Sequence, residues 1–90
     1  MTVGMTVGMK VDIVERQWHG CRYQTAHPYL TGWSLTENQN TWAAMESWCI
    51  VAFGEPGDTF STVAERWYLN DSCFWFRNDA DLTAFLLRWT

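Results

Sequence analysis

The chain has no run of Lys or Arg. Its six basic residues are scattered over 90 positions, and the formal net charge is −4. Nucleic-acid binding draws on a basic face that neutralises phosphates, so that class is set aside. The acidity is too mild for a DNA mimic, which would crowd carboxylates along one face. No apolar stretch approaches the roughly 18 residues of a membrane span, so no membrane partner is expected. The N-terminus has no basic region followed by a long apolar stretch, so no signal peptide is expected there. The three cysteines, Cys21, Cys49 and Cys73, are odd in number and show no paired spacing. They fit reduced thiols in a cytoplasmic protein better than a disulfide framework. The sequence holds no phosphate loop, no dinucleotide fingerprint and no nucleophile elbow. Gly54-Glu55-Pro56-Gly57 is turn chemistry.

What the chain does have is aromatic rings. Seven Trp, five Phe and three Tyr make up 17% of the residues. With 48% hydrophobic and 18% charged residues, the composition is that of a folded chain and not of a disordered one. The length suits a single domain. Residues 1–8 read MTVGMTVG, a direct duplication that suggests an extended N-terminal arm ahead of one α+β domain over 9–90.

Met9–Arg16 reads as a strand, with Val11 and Ile13 on one face and Lys10, Asp12 and Val14 on the other. Residues 17–35 read as a long aromatic loop that Trp18, Tyr23, Tyr29 and Trp33 tie down, with room for a short strand around Cys21–Gln24. Thr36-Glu37-Asn38-Gln39 fits a capping box that starts a helix. Trp42, Met45, Cys49, Ala52 and Phe53 then form its apolar stripe, widened by Trp48 and Ile50, and Gly54 ends it. Glu65–Asn70 reads as a second strand, Asn70-Asp71 as a two-residue turn and Ser72–Arg77 as a third strand, apolar on both faces and therefore central. A last helix starts at Asn78 or Asp79, with Leu82, Phe85, Leu86 and Trp89 on one face.

The order strand-helix-strand-strand-helix predicts a three-stranded sheet in the order 1-3-2 with both helices on one face, a truncated ferredoxin-like arrangement. The other sheet face is left open. The aromatic loop, the N-terminal arm or a second copy of the chain would cover it.

Chemistry is sparse. His19, Cys21 and His27 are the nearest approach to a metal cluster, and their spacing matches no zinc module. No metal and no cofactor is expected. Cys49 and Cys73 sit in apolar segments and read as core residues, which leaves Cys21 as the one exposed thiol. The carboxylates show no local pairing that demands acid–base work, so no catalytic residue is assigned and the chain does not read as an enzyme. Aromatic strands stack on bases in some RNA-binding sheets, but only Arg66 and Arg77 flank Cys73–Phe76, and core burial explains those rings better. Trp and Tyr are favoured anchors of protein interfaces. Trp18, Tyr23, Tyr29, Trp33 and Trp48 are therefore the candidate partner-binding residues.

The segment FWFRNDADLTAFLLRW, preceded by RWYLND, resembles the C-terminal end of short uncharacterised proteins of tailed bacteriophages, notably marine and cyanobacterial ones. The resemblance is closest over 65–89 and looser from 42, where Trp48-Cys49 and Phe53-Gly54 fit the same pattern. It implies a phage origin and a location in the host cytoplasm or the virion, and brings no activity with it. Taken together, these features lead to the expectation of a phage accessory protein that binds a host or phage protein, with a minor virion component or a self-associating homodimer as the alternative.

Overall fold

A computed structural model describes residues 9–30, 34–60 and 62–90. The expected N-terminal arm lies outside the described residues. The elements run β1 (Val11–Trp18), β2 (Cys21–Pro28), α1 (Leu35–Phe53), β3 (Trp67–Asn70), β4 (Cys73–Phe76) and α2 (Asp79–Trp89). The strands form one antiparallel sheet in the order β1-β2-β4-β3.

The α+β class is as expected, but the sheet has four strands where three were expected in the order 1-3-2. The difference is β2, which extends the short strand expected around Cys21–Gln24 to Pro28 within the segment read as a loop. His19-Gly20 turns the chain with φ of 51° and 74°. Those values suit a two-residue hairpin whose twist matches the strands. Pro28 closes β2 without loss, because it lies beyond the Gln24–Ala26 stretch that pairs with β4 and needs no donor there. Thus β2, and not β1, leads into α1, while β4 is central as its apolar faces imply. β1 is left at the outside edge.

Local signals shift by a residue or two. The β3–β4 turn is Asp71-Ser72, with φ of 56° and 58°, and not Asn70-Asp71. The cap of α1 is Ser34 and not Thr36: the Ser34 hydroxyl accepts from the Glu37 backbone N–H at 3.1 Å. Gly54 ends α1 at φ 91°, and its N–H donates to the Ile50 carbonyl at 2.9 Å.

Both helices cover one sheet face. Met45 and Cys49 from α1 and Leu82 and Phe85 from α2 pack with Ala26, Trp67, Phe74 and Phe76 in one buried cluster. Phe85 meets Phe74 and Phe76 at ring distances of 4.9 and 5.3 Å. Ala52, expected on the α1 stripe, is exposed, and Trp42 and Phe53 are half-buried. Trp67 completes the cluster by donating its indole N–H to the Gly54 carbonyl at 2.9 Å.

Candidate interaction surface

Side chains alternate across a strand, so the even-numbered residues of β1 and β3 and the odd-numbered residues of β2 and β4 point away from the helices. The pairings lay them out in rows: Asp12 beside His27, Val14 beside Thr25 and Trp75 beside Tyr68, with Arg16 beside Tyr23. Among the described residues the α1–β3 connection, residues 54–60 and 62–66, crosses it.

Two tyrosines pin that connection. The Tyr23 hydroxyl donates to the Glu65 carbonyl at 2.6 Å. The Tyr68 hydroxyl donates to the Val63 carbonyl at 3.1 Å and accepts from the Glu65 N–H at 3.0 Å. The rings meet edge to face at 5.5 Å. Burial, reinforced by the hydrogen bond to Tyr68, raises the Tyr23 phenol well above its ordinary pKa. Gly57 passes so close that a Cβ there would meet Glu65 Cβ at 2.5 Å and Tyr68 Cε1 at 2.6 Å.

Beyond the connection the aromatic face is open. Trp18, Thr59, Tyr68, Asn70 and Trp75 line a shallow recess. Trp18 and Trp75 meet edge to face at 6.1 Å, and the Arg16 guanidinium lies 5.9 Å from the Trp75 ring centre. Trp75 donates its indole N–H to the Asn70 carbonyl at 3.1 Å, which fixes one wall. Phe60 is 93% exposed and Val63 62% exposed, on the same connection that carries Thr59. Exposed apolar side chains mark a contact surface where they group into a patch rather than stand singly. The Phe60 N–H donates to Asp58 Oδ1 at 2.9 Å, which orders the backbone that carries the ring.

The five candidate residues fall apart under this geometry. Trp18 walls the recess. Tyr23 is fully buried and serves as an internal strut, which removes it from the contact set. Tyr29 is exposed at the far end of the sheet face, where its hydroxyl donates to Asp12 and Lys10 lies 5.2 Å from its ring. Trp48 is half-buried between Phe53 and Phe85, on the helix side of the sheet. Trp33 lies outside the described residues. Trp75, Phe60 and Val63 are not among the candidates that the sequence marks. The bulky aromatic alternation of β4 could have flagged Trp75, but nothing in the sequence separates Phe60 from a core phenylalanine.

The hairpin also dissolves the His19, Cys21 and His27 cluster. Six residue steps of extended strand, on the order of 20 Å, separate Cys21 from His27. Among the described residues no group of three or more His, Cys, Asp or Glu could hold a metal ion. His27 instead meets Cys73, Nδ1 to Sγ at 3.7 Å. This pairing is not legible in the sequence, since 46 positions separate the two. Burial raises the Cys73 pKa, which keeps the thiol protonated and therefore a poor nucleophile. No helix among the described residues is long and apolar enough to cross a membrane.

The chain matches no family model, no curated protein and no solved structure.

Proposed function

We propose that this chain is a non-catalytic protein-binding domain whose contact surface is the recess walled by Trp18 and Trp75 together with the connection that carries Thr59, Phe60 and Val63. The observation that carries the proposal is Phe60, 93% exposed on a connection that two tyrosines and Gly57 hold against the sheet. A free apolar ring on a pre-ordered backbone lowers the entropic cost of docking. Trp18, which lines the recess with Thr59, adds an indole that can take an apolar anchor or a backbone carbonyl of the partner.

The partner belongs to the host or to the phage, in the reading that the resemblance over 65–89 supports, with the host cytoplasm as the place of action. That resemblance rests on β3, β4 and α2, whose residues are largely interior, and so bears on shared fold more than on shared partner. The surface carries the functional part of the proposal.

Affinity capture from infected host lysate tests it. Wild-type chain and the Phe60→Ser variant are used side by side. One protein retained by the wild type and lost from the variant supports the proposal. Equal recovery by both, or nothing specific from either, counts against it.

A second reading, a self-associating or minor virion protein, is favoured by one observation: β1 is an eight-residue edge strand exposed on both faces.

A further inference from the structure

We propose that the outer edge of β1 pairs with the same edge of a second copy, antiparallel about Val14, to give a continuous eight-stranded sheet. This goes beyond the recess and rests on different residues.

Backbone geometry comes first. In an antiparallel ladder the residues that hydrogen-bond to one neighbour alternate with those that face the other side. Tyr29 donates its N–H to the Lys10 carbonyl at 2.9 Å, and the Val14 carbonyl accepts from the Thr25 hydroxyl at 2.9 Å. The even-numbered residues of β1 therefore turn their N–H and C=O groups toward β2. Val11, Ile13, Glu15 and Gln17 turn theirs outward, where no strand among the described residues lies. A row of unpaired donors and acceptors is a template for another strand. Edge strands are commonly blunted by bulges, prolines or short length, yet β1 pairs with β2 without interruption over eight residues and carries Ile13 and Val14 at 40% and 48% exposure.

Only registers that set odd-numbered residues opposite odd-numbered ones can form hydrogen bonds across this edge. That removes every second register and places the helices of both copies on the same side of the joined sheet. Charge then selects among those that overlap most of the strand, since pairing centred near either end joins only a few residues. Pairing centred on Ile13 sets Lys10 opposite Arg16. Pairing centred on Glu15 sets Glu15 opposite its own copy, and pairing centred on Arg16 does the same for Arg16. Pairing centred on Val14 brings no like charges together. It sets Asp12 opposite Arg16 twice, Val14 opposite Val14, Ile13 opposite Glu15 and Lys10 opposite Trp18. The Asp12 and Arg16 pairs fall at non-hydrogen-bonded positions, where side chains approach most closely. The occupant that this charge pattern fits is the chain itself. In the resulting dimer both recesses open on one side, so a partner with two sites would be held by two copies.

Sedimentation equilibrium of the full chain over a wide concentration range tests the proposal. The expected result is a reversible dimer of twice the 10.5 kDa chain mass. Asp12→Arg places Arg opposite Arg and weakens the dimer about tenfold or more, whereas Asp12→Arg combined with Arg16→Asp restores the opposite charges and recovers it. Ile13→Pro removes an outward N–H and abolishes the dimer, while circular dichroism shows the monomer still folded. A monomer at every concentration overturns the proposal. So does a dimer indifferent to Ile13→Pro, or one that the double charge exchange fails to restore. A monomer whose Ile13 and Glu15 amides resist hydrogen exchange would assign the edge to another part of the same chain and overturns it equally. Capture of a partner through Phe60 is unaffected by any of these results, so the two proposals fail separately.

Discussion

The Arg66 guanidinium grips the Asp81 carboxylate with two hydrogen bonds, Nε to Oδ2 at 2.8 Å and Nη2 to Oδ1 at 3.0 Å. The pair joins the entry to β3 with the first turn of α2. Asp81 is 7% exposed although it is charged, and its position at a helix N-terminus adds a favourable dipole interaction. Arg66 also lies over the Phe53 ring at 5.2 Å, so one side chain links α1, β3 and α2. Removing the carboxylate leaves these groups without their shared partner. Asp81→Ala is expected to lower stability by about 1–3 kcal/mol, read from urea unfolding. A loss below about 0.5 kcal/mol, typical of an unconstrained surface site, would show that the pair holds nothing together.

The start of α1 offers a discrimination between two neighbouring hydroxyls. Ser34 caps the helix through the Glu37 N–H, and Glu37 adds negative charge to the first turn. Ser34→Ala should cost about 1 kcal/mol. Thr36, one residue inside the helix and exposed, should tolerate alanine within about 0.5 kcal/mol. Thermal unfolding of the two variants in parallel checks the order, and a larger loss at Thr36 would move the helix start.

Alkaline pH acts on buried acids that must stay protonated. Burial, with Glu46 adding repulsion, pushes the Cys49 thiol up from 9.0 to about 12. Burial raises Cys73 and Tyr23 as well. Each group binds its proton more tightly in the folded chain, so its stabilising contribution is complete below the unfolded pKa and is lost as pH rises through the folded one. The urea midpoint should therefore hold steady up to about pH 9 and fall as pH rises from there toward 12. The Cys49→Ala variant should show a shallower fall. A midpoint that rises over this range would reverse the sign and contradict the assignment.

Gly57 couples fold to surface. Its N–H donates to the Trp67 carbonyl at 2.7 Å, and a Cβ would strike Glu65 and the Tyr68 ring. Gly57→Ala must lift the connection that carries Thr59 and Phe60. The expected result is a loss of stability together with weaker partner capture, whereas Phe60→Ser should weaken capture and leave stability within about 0.5 kcal/mol. If Gly57→Ala leaves both stability and capture unchanged, the connection is not held by this contact.

Long periodic segments were legible from the sequence. The Leu82, Phe85 and Leu86 spacing placed α2, and the two-sided apolar run of β4 placed the centre of the sheet. Of β2 only a short strand around Cys21–Gln24 was legible, because Ala26 and Pro28 are poor strand formers taken singly and because Gly20 and Pro28 resemble loop punctuation. What makes them a strand is non-local: β1 on one side and β4 on the other supply the pairing that their propensity does not. The recess was legible in part. Trp18 stands out as an aromatic in an unpatterned stretch, which is a hairpin end. Tyr23 stands out for the same reason and is interior, because its hydroxyl reaches a carbonyl 42 residues away. Phe60 could not be read at all, since exposure is set by where the 54–66 connection folds and not by its own neighbours in sequence.

The most direct measurement is photo-crosslinking in infected host cells with a photoreactive amino acid placed at 60, and in a parallel chain at Leu87, which is 82% exposed on α2, on the helix side of the sheet. Contact through the aromatic recess yields one discrete adduct to a second protein from position 60 and none from position 87. An adduct from position 87 alone, or the same adducts from both, would contradict the assignment of the binding surface.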